Sequence, residues 1–477
     1  MSKTTTKFAG IFASLFWETL VFQASAQEPA VRHAVVALSA AHRSNLSSES
    51  MPTMYGMDAE RFTLLQYNKA IHHLRGVTTG GSSKNALRVT LITCMLFVTL
   101  EYLRGQHKMG SAHLGYGIQL LTNISTTAPH TSMAPSILSP EEDFVHDALV
   151  ESYARLTIQS AMFGHVPSHL CMIVRDPQLH ALPYRFSSLV EARQTLDDLL
   201  TRIHYLERHI HSVPADDDPG MDPEAFDTQR RIMADLLLWR KAYNASLSLL
   251  TTDACKEKIG FLLLRIYHEM AMIMASVCLS REGEMVFDAY TNDFVRIITA
   301  FFDVRRFWST ISIPIKEQNL GLQNGQSECN GYSFTIESGF IPPMYYTGLK
   351  CRVLKIRRLA IRLLRAAPHR EGLWNGPLMA DVLEEVVRVE EGGFYADYDP
   401  KQDLDERFND ADSELEKDNL PSPDVRAESR ISDVNILLSD VIDGDTFINY
   451  RQKGEDGQWA TFHRKVNRTK RQSWSIF

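Results

Sequence analysis

The sequence predicts an all-α protein: a large body of helical bundles and hairpins, an acidic linker, and a small extension with room for β-structure. Three observations carry that expectation. Apolar residues recur at helical spacing in segment after segment, clusters of Gly, Pro and Ser punctuate those segments, and beyond Phe394 the apolar pattern gives way to acidic residues. With 477 residues, 44% hydrophobic and 23% charged, the chain can bury a substantial core. Its formal charge of -8 does not favour a polyanion over the whole surface, so a nucleic acid would need a local basic patch or a partner protein.

The opening helix is expected to gather Phe8, Ile11, Phe12, Leu15, Phe16 and Leu20 on one face. The same stretch imitates a secretion signal, with Lys3 and Lys7 ahead of the apolar run and Ala24-Ser25-Ala26 resembling a cleavage site. Glu18 interrupts the run, which favours an amphipathic helix in a cytosolic or nuclear protein. Pro29 stands at a first helical position before Val31, Ala34, Val35 and Leu38. After a loop from Ser44 to Gly56, Phe62, Leu65, Ala70 and Leu74 mark the next helix. Leu87 to Leu103 and Ala112 to Leu121, parted by Gly105 and Gly110, predict a helical hairpin. The apolar stretch Val89 to Leu100 is 12 residues long, short of the roughly 20 that cross a bilayer, and no membrane association is expected.

Ser139, Pro140 and Glu142 form a capping box ahead of Val145, Leu149, Tyr153 and Leu156. Further helices are expected at 188–209, 224–250, 254–279 and 288–302, with breaks at 165–183, 211–220 and 320–333. Residues 396–423 carry ten Asp/Glu against three Lys/Arg, too much charge to bury, so 395–424 reads as a flexible linker. In the extension 425–477, Val434, Ile436, Phe447, Tyr450, Trp459 and Phe462 flank Asp-Gly pairs at 443–444 and 456–457, which predicts a small hairpin.

No residue set demands catalysis. Asp216-Asp217-Asp218 suits a magnesium site only on a helix wall, and Pro214, Pro219 and Gly220 place it in a loop. His268-Glu269 lacks the second histidine of a zinc helix, because Met272 stands there. His72-His73 and His209 with His211 read as solvent-facing, while Trp17, Trp239, Trp308 and Trp374 read as core. No catalytic, cofactor-binding or metal-binding residue is therefore assigned, and no cofactor is expected.

One long signature stands out. It runs Gly339-Phe340-Ile341-Pro342-Pro343-Met344-Tyr345-Tyr346, then Cys351-Arg352, Arg357-Arg358 and His369-Arg370-Glu371-Gly372-Leu373-Trp374. It reads as a loop, freed at Gly339 and stiffened by Pro342 and Pro343, feeding a helix from Leu349 onward. That helix would present Val353, Ile356, Ala360, Leu363 and Leu364 on one side. Lys355, Arg358, Arg362 and Arg365 would lie on the other. This basic face has three readings: a solvated surface paired with acids, a docking face for an acidic segment or anionic ligand, or a DNA-backbone contact. The acidic linker itself is a candidate occupant.

The signature resembles the regulatory, or middle homology, region of fungal transcription factors of the binuclear zinc-cluster type. Trp17-Glu18, Glu28-Pro29, Arg32-His33 and His42 resemble the opening of the same region. The resemblance implies an all-helical regulatory body over 8–394, a nuclear protein, and control of transcription, with a fungal biosynthetic gene cluster as its natural setting. It also implies a protein partner or a second copy, and a small-molecule effector. In that family DNA is read by a closely spaced cysteine cluster. Here Cys94, Cys171, Cys255, Cys278, Cys329 and Cys351 lie no closer than 22 positions apart, and residues 1–7 leave no room ahead of the body. Direct DNA binding is not expected without the cluster. The chain is then either a clipped DNA-binding regulator or a regulator-like protein working through partners, with a ligand-binding protein or enzyme on the same body as the alternative. Arg464, Lys465, Arg468, Lys470 and Arg471 are a candidate import signal.

Overall fold

The computed structural model describes residues 10–12, 14–46, 58–79, 84–125, 144–164, 182–212, 223–247, 255–280, 283–318, 333–366, 369–392, 425–441, 444–454 and 457–468. The capping box at 139–142, the acidic triplet at 216–218 and the linker at 395–424 lie outside them.

The fold is mostly helical, as the periodicity predicts. A π-helical turn (Phe16–Leu20) runs into α1 (Val21–Gln27), and Pro29 opens α2 (Pro29–Leu46). Phe12 is buried in a turn ahead of this pair, so the expected opening helix starts at Leu15 rather than at Phe8, which lies outside the described residues. Next come α3 (Ala59–Thr79), α4 (Lys84–Arg104) and α5 (His107–Ser125). The hairpin turns at Gly105, whose φ of +77° suits glycine. Gly110 does not break the chain. It lies inside α5, where a Cβ would stand 2.4 Å from the Tyr102 ring, so glycine lets the two helices close together.

Helix α4 forms the middle of the N-terminal half, packed by α2, α3 and α5, and it is buried nearly all round from Val89 to Leu103. Its hydroxyls do not disturb this environment, because Thr93 and Thr99 donate to the carbonyls of Val89 (2.7 Å) and Met95 (3.0 Å) one turn back. Residues Lys84–Arg104 and Glu257–Val277 are long and apolar enough to cross a membrane, and most of each is buried inside the body.

The second half stacks α6 (Phe144–Met162), α7 (Leu189–Ser212), α8 (Pro223–Leu247) and α9 (Cys255–Val277). A 3-10 turn (Gly283–Tyr290) and α10 (Thr291–Gln318) follow. Trp239 on α8 is wholly buried between α7 and α9, donating its indole N–H to the Ala192 carbonyl at 2.9 Å.

The signature departs from its expected course. Its chain pairs β1 (Ser333–Thr335) in parallel with β2 (His369–Glu371), and β2 with β3 (Trp374–Asn375), a small sheet inside the helical body that the sequence did not announce. Between them lie α11 (Ile341–Lys350) and α12 (Leu354–Arg365), parted at Cys351–Val353, where one continuous approach and helix was expected. Pro342 and Pro343 are not in a loop. They occupy the first turn of α11, where a missing N–H has no intrahelical acceptor to lose. Helix α13 (Gly376–Glu391) is capped at both ends, by the Asn375 side chain accepting the Leu378 N–H at 3.1 Å and by Gly392 at φ +55°.

The extension is a three-stranded antiparallel sheet in the order β4 (Ile431–Leu437), β5 (Phe447–Lys453), β6 (Trp459–Lys465). Ile431, Ile436, Ile448 and Tyr450 point to the body and join its apolar core. Gln106 donates to the Asp440 carbonyl at 3.0 Å, and Arg430 grips Asp288 through two hydrogen bonds of 2.8 and 2.7 Å.

Candidate functional site

The signature residues assemble around the two ends of α11. At the N-terminal end, the Glu371 carboxylate accepts the backbone N–H groups of Gly339 (2.8 Å), Phe340 (3.2 Å) and Ile341 (3.2 Å). His369 reaches the same carboxylate at 2.7 Å. These donors would otherwise be orphans of the helix start, and an anion is favoured there by the helix dipole. Gly339 is required by this approach, since a Cβ would stand 2.5 Å from a Glu371 oxygen. Replacing Glu371 with Ala is expected to destabilise the protein by about 2–4 kcal/mol, with Gln recovering part of the loss. The denaturant midpoints of the two variants check this, and equal midpoints for Ala and wild type would refute the capping role.

At the C-terminal end lies a buried ion cluster. Arg352 and Arg357 have fully buried side chains and meet one carboxylate, Glu390 on α13. Arg352 donates to it at 2.8 Å and to the Lys350 carbonyl at 2.9 Å, and pairs with Glu284 at 2.8 Å. Arg357 donates to the other Glu390 oxygen and, through Nε, to the Gly348 carbonyl at 2.9 Å. Lys350 pairs with Glu284 at 2.6 Å. Glu390 also accepts the N–H of Ile431, the first residue of β4, at 3.0 Å. One carboxylate thus ties the signature, α13 and the C-terminal sheet together. Burial by itself would raise the Glu390 pKa, but the guanidinium groups of Arg357 and Arg352 outweigh it and hold the group at about 2.

A second cluster precedes the signature. Arg193 pairs with Glu337 at 2.5 Å, and Arg155 reaches Glu151 (2.9 Å), Asp197 (3.2 Å) and Glu337 (3.8 Å). Phe12 covers the Arg193 guanidinium at 4.1 Å. Two clefts beside this cluster measure about 30 and 40 Å³, enough for a water molecule and not for an organic effector.

The remaining signature residues serve packing and helix ends. Trp374 is wholly buried between Phe163 and Tyr345, and Trp17 is buried edge-on to Phe16. Arg370 donates to the Tyr102 and Leu103 carbonyls at the end of α4, and burial pulls its pKa down to about 10. Arg32 does the same for α1, donating to Ser25 (3.0 Å) and Ala26 (2.8 Å). His33 meets Gln66 at 2.7 Å and stacks on His73, and Glu28 accepts from Asn85 at 3.2 Å. Gly372, at φ +57°, closes the turn between β2 and β3. Cys351 is buried and His42 is buried, while Glu18 and Pro29 face solvent.

The basic face on α12 is not a row of open charges. Arg365 pairs with Asp381 (2.9 Å) and Glu384 (2.6 Å), and Lys355, Arg358 and Arg362 are engaged as well. In the tail, Arg464 pairs with Glu385, Lys465 with Asp445 at 2.7 Å, and Arg468 bonds Thr446 at 3.2 Å. Lys470 and Arg471 lie outside the described residues, as do the side chains of His209, His211 and Trp308. His268 belongs to the core: it bonds the Leu236 carbonyl at 2.9 Å and stacks on Trp239. Among the described residues, no group of three or more His, Cys, Asp or Glu side chains is placed to hold a metal ion. Sequence reasoning missed Glu390, Glu284 and Glu337. The available signal was the apolar setting of Arg352 and Arg357, which demands nearby carboxylates once those helices pack.

Compared with known families, the chain has one clear likeness. Residues 2–168 match the fungal specific transcription factor domain. No curated protein and no solved structure matches the chain. The matched stretch contains the opening blocks from Trp17 to His42 and ends before the signature, which reaches back to it in space. Arg370 holds the end of α4, and Gln159 donates to the Ile336 carbonyl at 3.0 Å. The match supports a transcription-regulator-like role, and a nuclear one in general terms.

Proposed function

We propose that this chain regulates transcription in the nucleus through protein contacts, not by reading DNA with the helical body, and that it is not an enzyme. The observation that carries this reading is the burial of Arg352 and Arg357 on Glu390. The strongest basic elements of the signature are consumed inside the fold, and the whole chain carries a formal charge of -8. A phosphate backbone needs accessible cations, whose contacts show as steep salt dependence. Control of a fungal biosynthetic gene cluster is the proposed setting, and that part rests on the resemblance alone. A protein partner is the proposed route of action; a small-molecule effector, which the resemblance implies, would need a site other than the two clefts beside Arg155 and Arg193.

The test tethers the full chain to an unrelated DNA-binding domain upstream of a reporter. A change of several-fold in either direction over the tether alone is expected, while the untethered chain leaves a duplex unshifted at physiological salt. Sequence-specific, salt-resistant duplex binding by the chain itself would overturn the proposal.

A further inference from the structure

We propose that the outer edge of β6 is a self-association surface, where a second copy of this chain adds its own β6 in antiparallel, two-fold register. This stands on strand geometry and does not depend on the regulatory reading. In the order β4-β5-β6, β4 lies against the body and β6 is the outside strand. Among the described residues no strand pairs with its far edge, and all seven of its residues are exposed. Trp459 and Phe462 are 48% and 42% exposed. Natural edge strands are usually blunted by proline, by charged side chains, by a bulge or by an inward charge. The two fixed cations of β6, Arg464 and Lys465, are both paired with carboxylates of their own chain. β6 has no proline, and the sheet's register shift, with Asp433 at φ +51°, is in β4 at the covered edge.

The ladder parity fixes how a second strand would fit. Gly454 donates to the Gln458 carbonyl and Val466 to the Thr446 carbonyl, each at 2.8 Å. With the register Lys453↔Trp459 through Phe447↔Lys465, the even-numbered residues of β6 then bond β5. Trp459, Thr461, His463 and Lys465 therefore aim their N–H and C=O groups at the open edge. A two-fold axis through Phe462 sets Trp459 opposite the second copy's Lys465, and Thr461 opposite its His463. Both are pairs of open-edge residues, so every outward group finds a partner. Phe462 meets its own copy at the closely spaced, non-hydrogen-bonded position, on the face where it already stacks on Tyr450.

The charges fit the same register. No two like charges stand directly opposite, and Lys465 faces an indole whose ring already carries the Arg451 guanidinium of its own chain at 5.1 Å. Arg464 and Lys465, the only fixed cations on the strand, are already paired with Glu385 and Asp445. An extended acidic peptide has no comparable match, because the edge offers it no unpaired fixed cation.

The test is sedimentation of the full chain across a concentration series. A mass rising from 54.1 kDa toward twice that value is expected. Thr461→Pro removes one outward N–H while sparing the bonds to β5, and is expected to abolish the dimer while leaving the thermal midpoint of the dilute monomer unchanged. Trp459→Lys sets lysine against lysine twice across the axis and is expected to weaken association about tenfold, whereas Trp459→Glu retains it. These exposed-site variants keep the test valid should the proline variant fail to fold. A chain that stays monomeric throughout the series, or a dimer indifferent to the Trp459 variants, would overturn the proposal.

Discussion

Replacing Glu390 with Ala is expected to destabilise the protein by about 3–5 kcal/mol, because it leaves two buried guanidinium groups without their shared carboxylate. Arg352 retains Glu284 at 2.8 Å, but among the described residues the carboxylate left to Arg357 is Glu391 at 3.8 Å, beside its bond to the Gly348 carbonyl. The local effect is as informative as the global one. The Ile431 N–H donates to Glu390, so amide exchange at Ile431 and along β4 should accelerate before the helical core does. Uniform acceleration across the chain would show that the sheet does not open separately. A loss below about 1 kcal/mol would mean that Glu284 and Glu391 re-pair with the arginines.

The same group sets an acid sensitivity. Its folded pKa of about 2 lies below the 4.5 of an ordinary glutamate. Its contribution, on the order of 3 kcal/mol, is therefore complete above the ordinary value and is lost as the pH falls from there toward 2. Glu390→Gln should flatten that part of the stability profile while lowering the plateau at neutral pH.

The second large effect is expected at Trp239→Ala, at about 3–5 kcal/mol. The indole is wholly buried, stacks on Tyr243 (5.3 Å) and His268 (5.1 Å), and supplies the N–H for the Ala192 carbonyl. Its removal opens a void between three helices and takes the indole donor away from that carbonyl. Trp239→Phe keeps most of the apolar contact and should cost less than half as much. His268 provides a local probe, because burial pulls its pKa down to about 4. Water entering the void should move it back toward 6.5, readable by titrating its ring resonances. In the intact protein, the neutral imidazole contributes stability above pH 6.5 that is lost as the pH falls toward 4. An unmoved His268 in the alanine variant would show that the core collapses over the gap.

The helices were readable because their signal is local. In α4, α8 and α9 the apolar spacing, the flanking breakers and the intrinsic propensity agree, so these three helices appear within a few residues of their expected limits, whereas α10, expected to end at 302, runs to Gln318. Their detailed ends were less readable. Gly110 looks like a breaker in sequence, yet its neighbour in space is the Tyr102 ring, which only a helix with glycine there can approach. The signature was legible as a unit but its role was not. Arg352 and Arg365 look alike in a sequence. One is sealed in the core, and the other pairs with Asp381 and Glu384 while still partly exposed.

What the sequence alone determined is the mostly helical character, the small β extension, and the resemblance that points to transcriptional regulation. Each follows from residue types at short spacing, where neighbours in the chain are neighbours in space. Only the tertiary structure decided that β1 pairs with β2, that Glu371 caps α11, and that Glu390 joins Arg352, Arg357 and Ile431. The fate of a charge depends on which carboxylate the folded chain brings within about 3 Å and how much water it excludes, and both are settled by packing between distant segments.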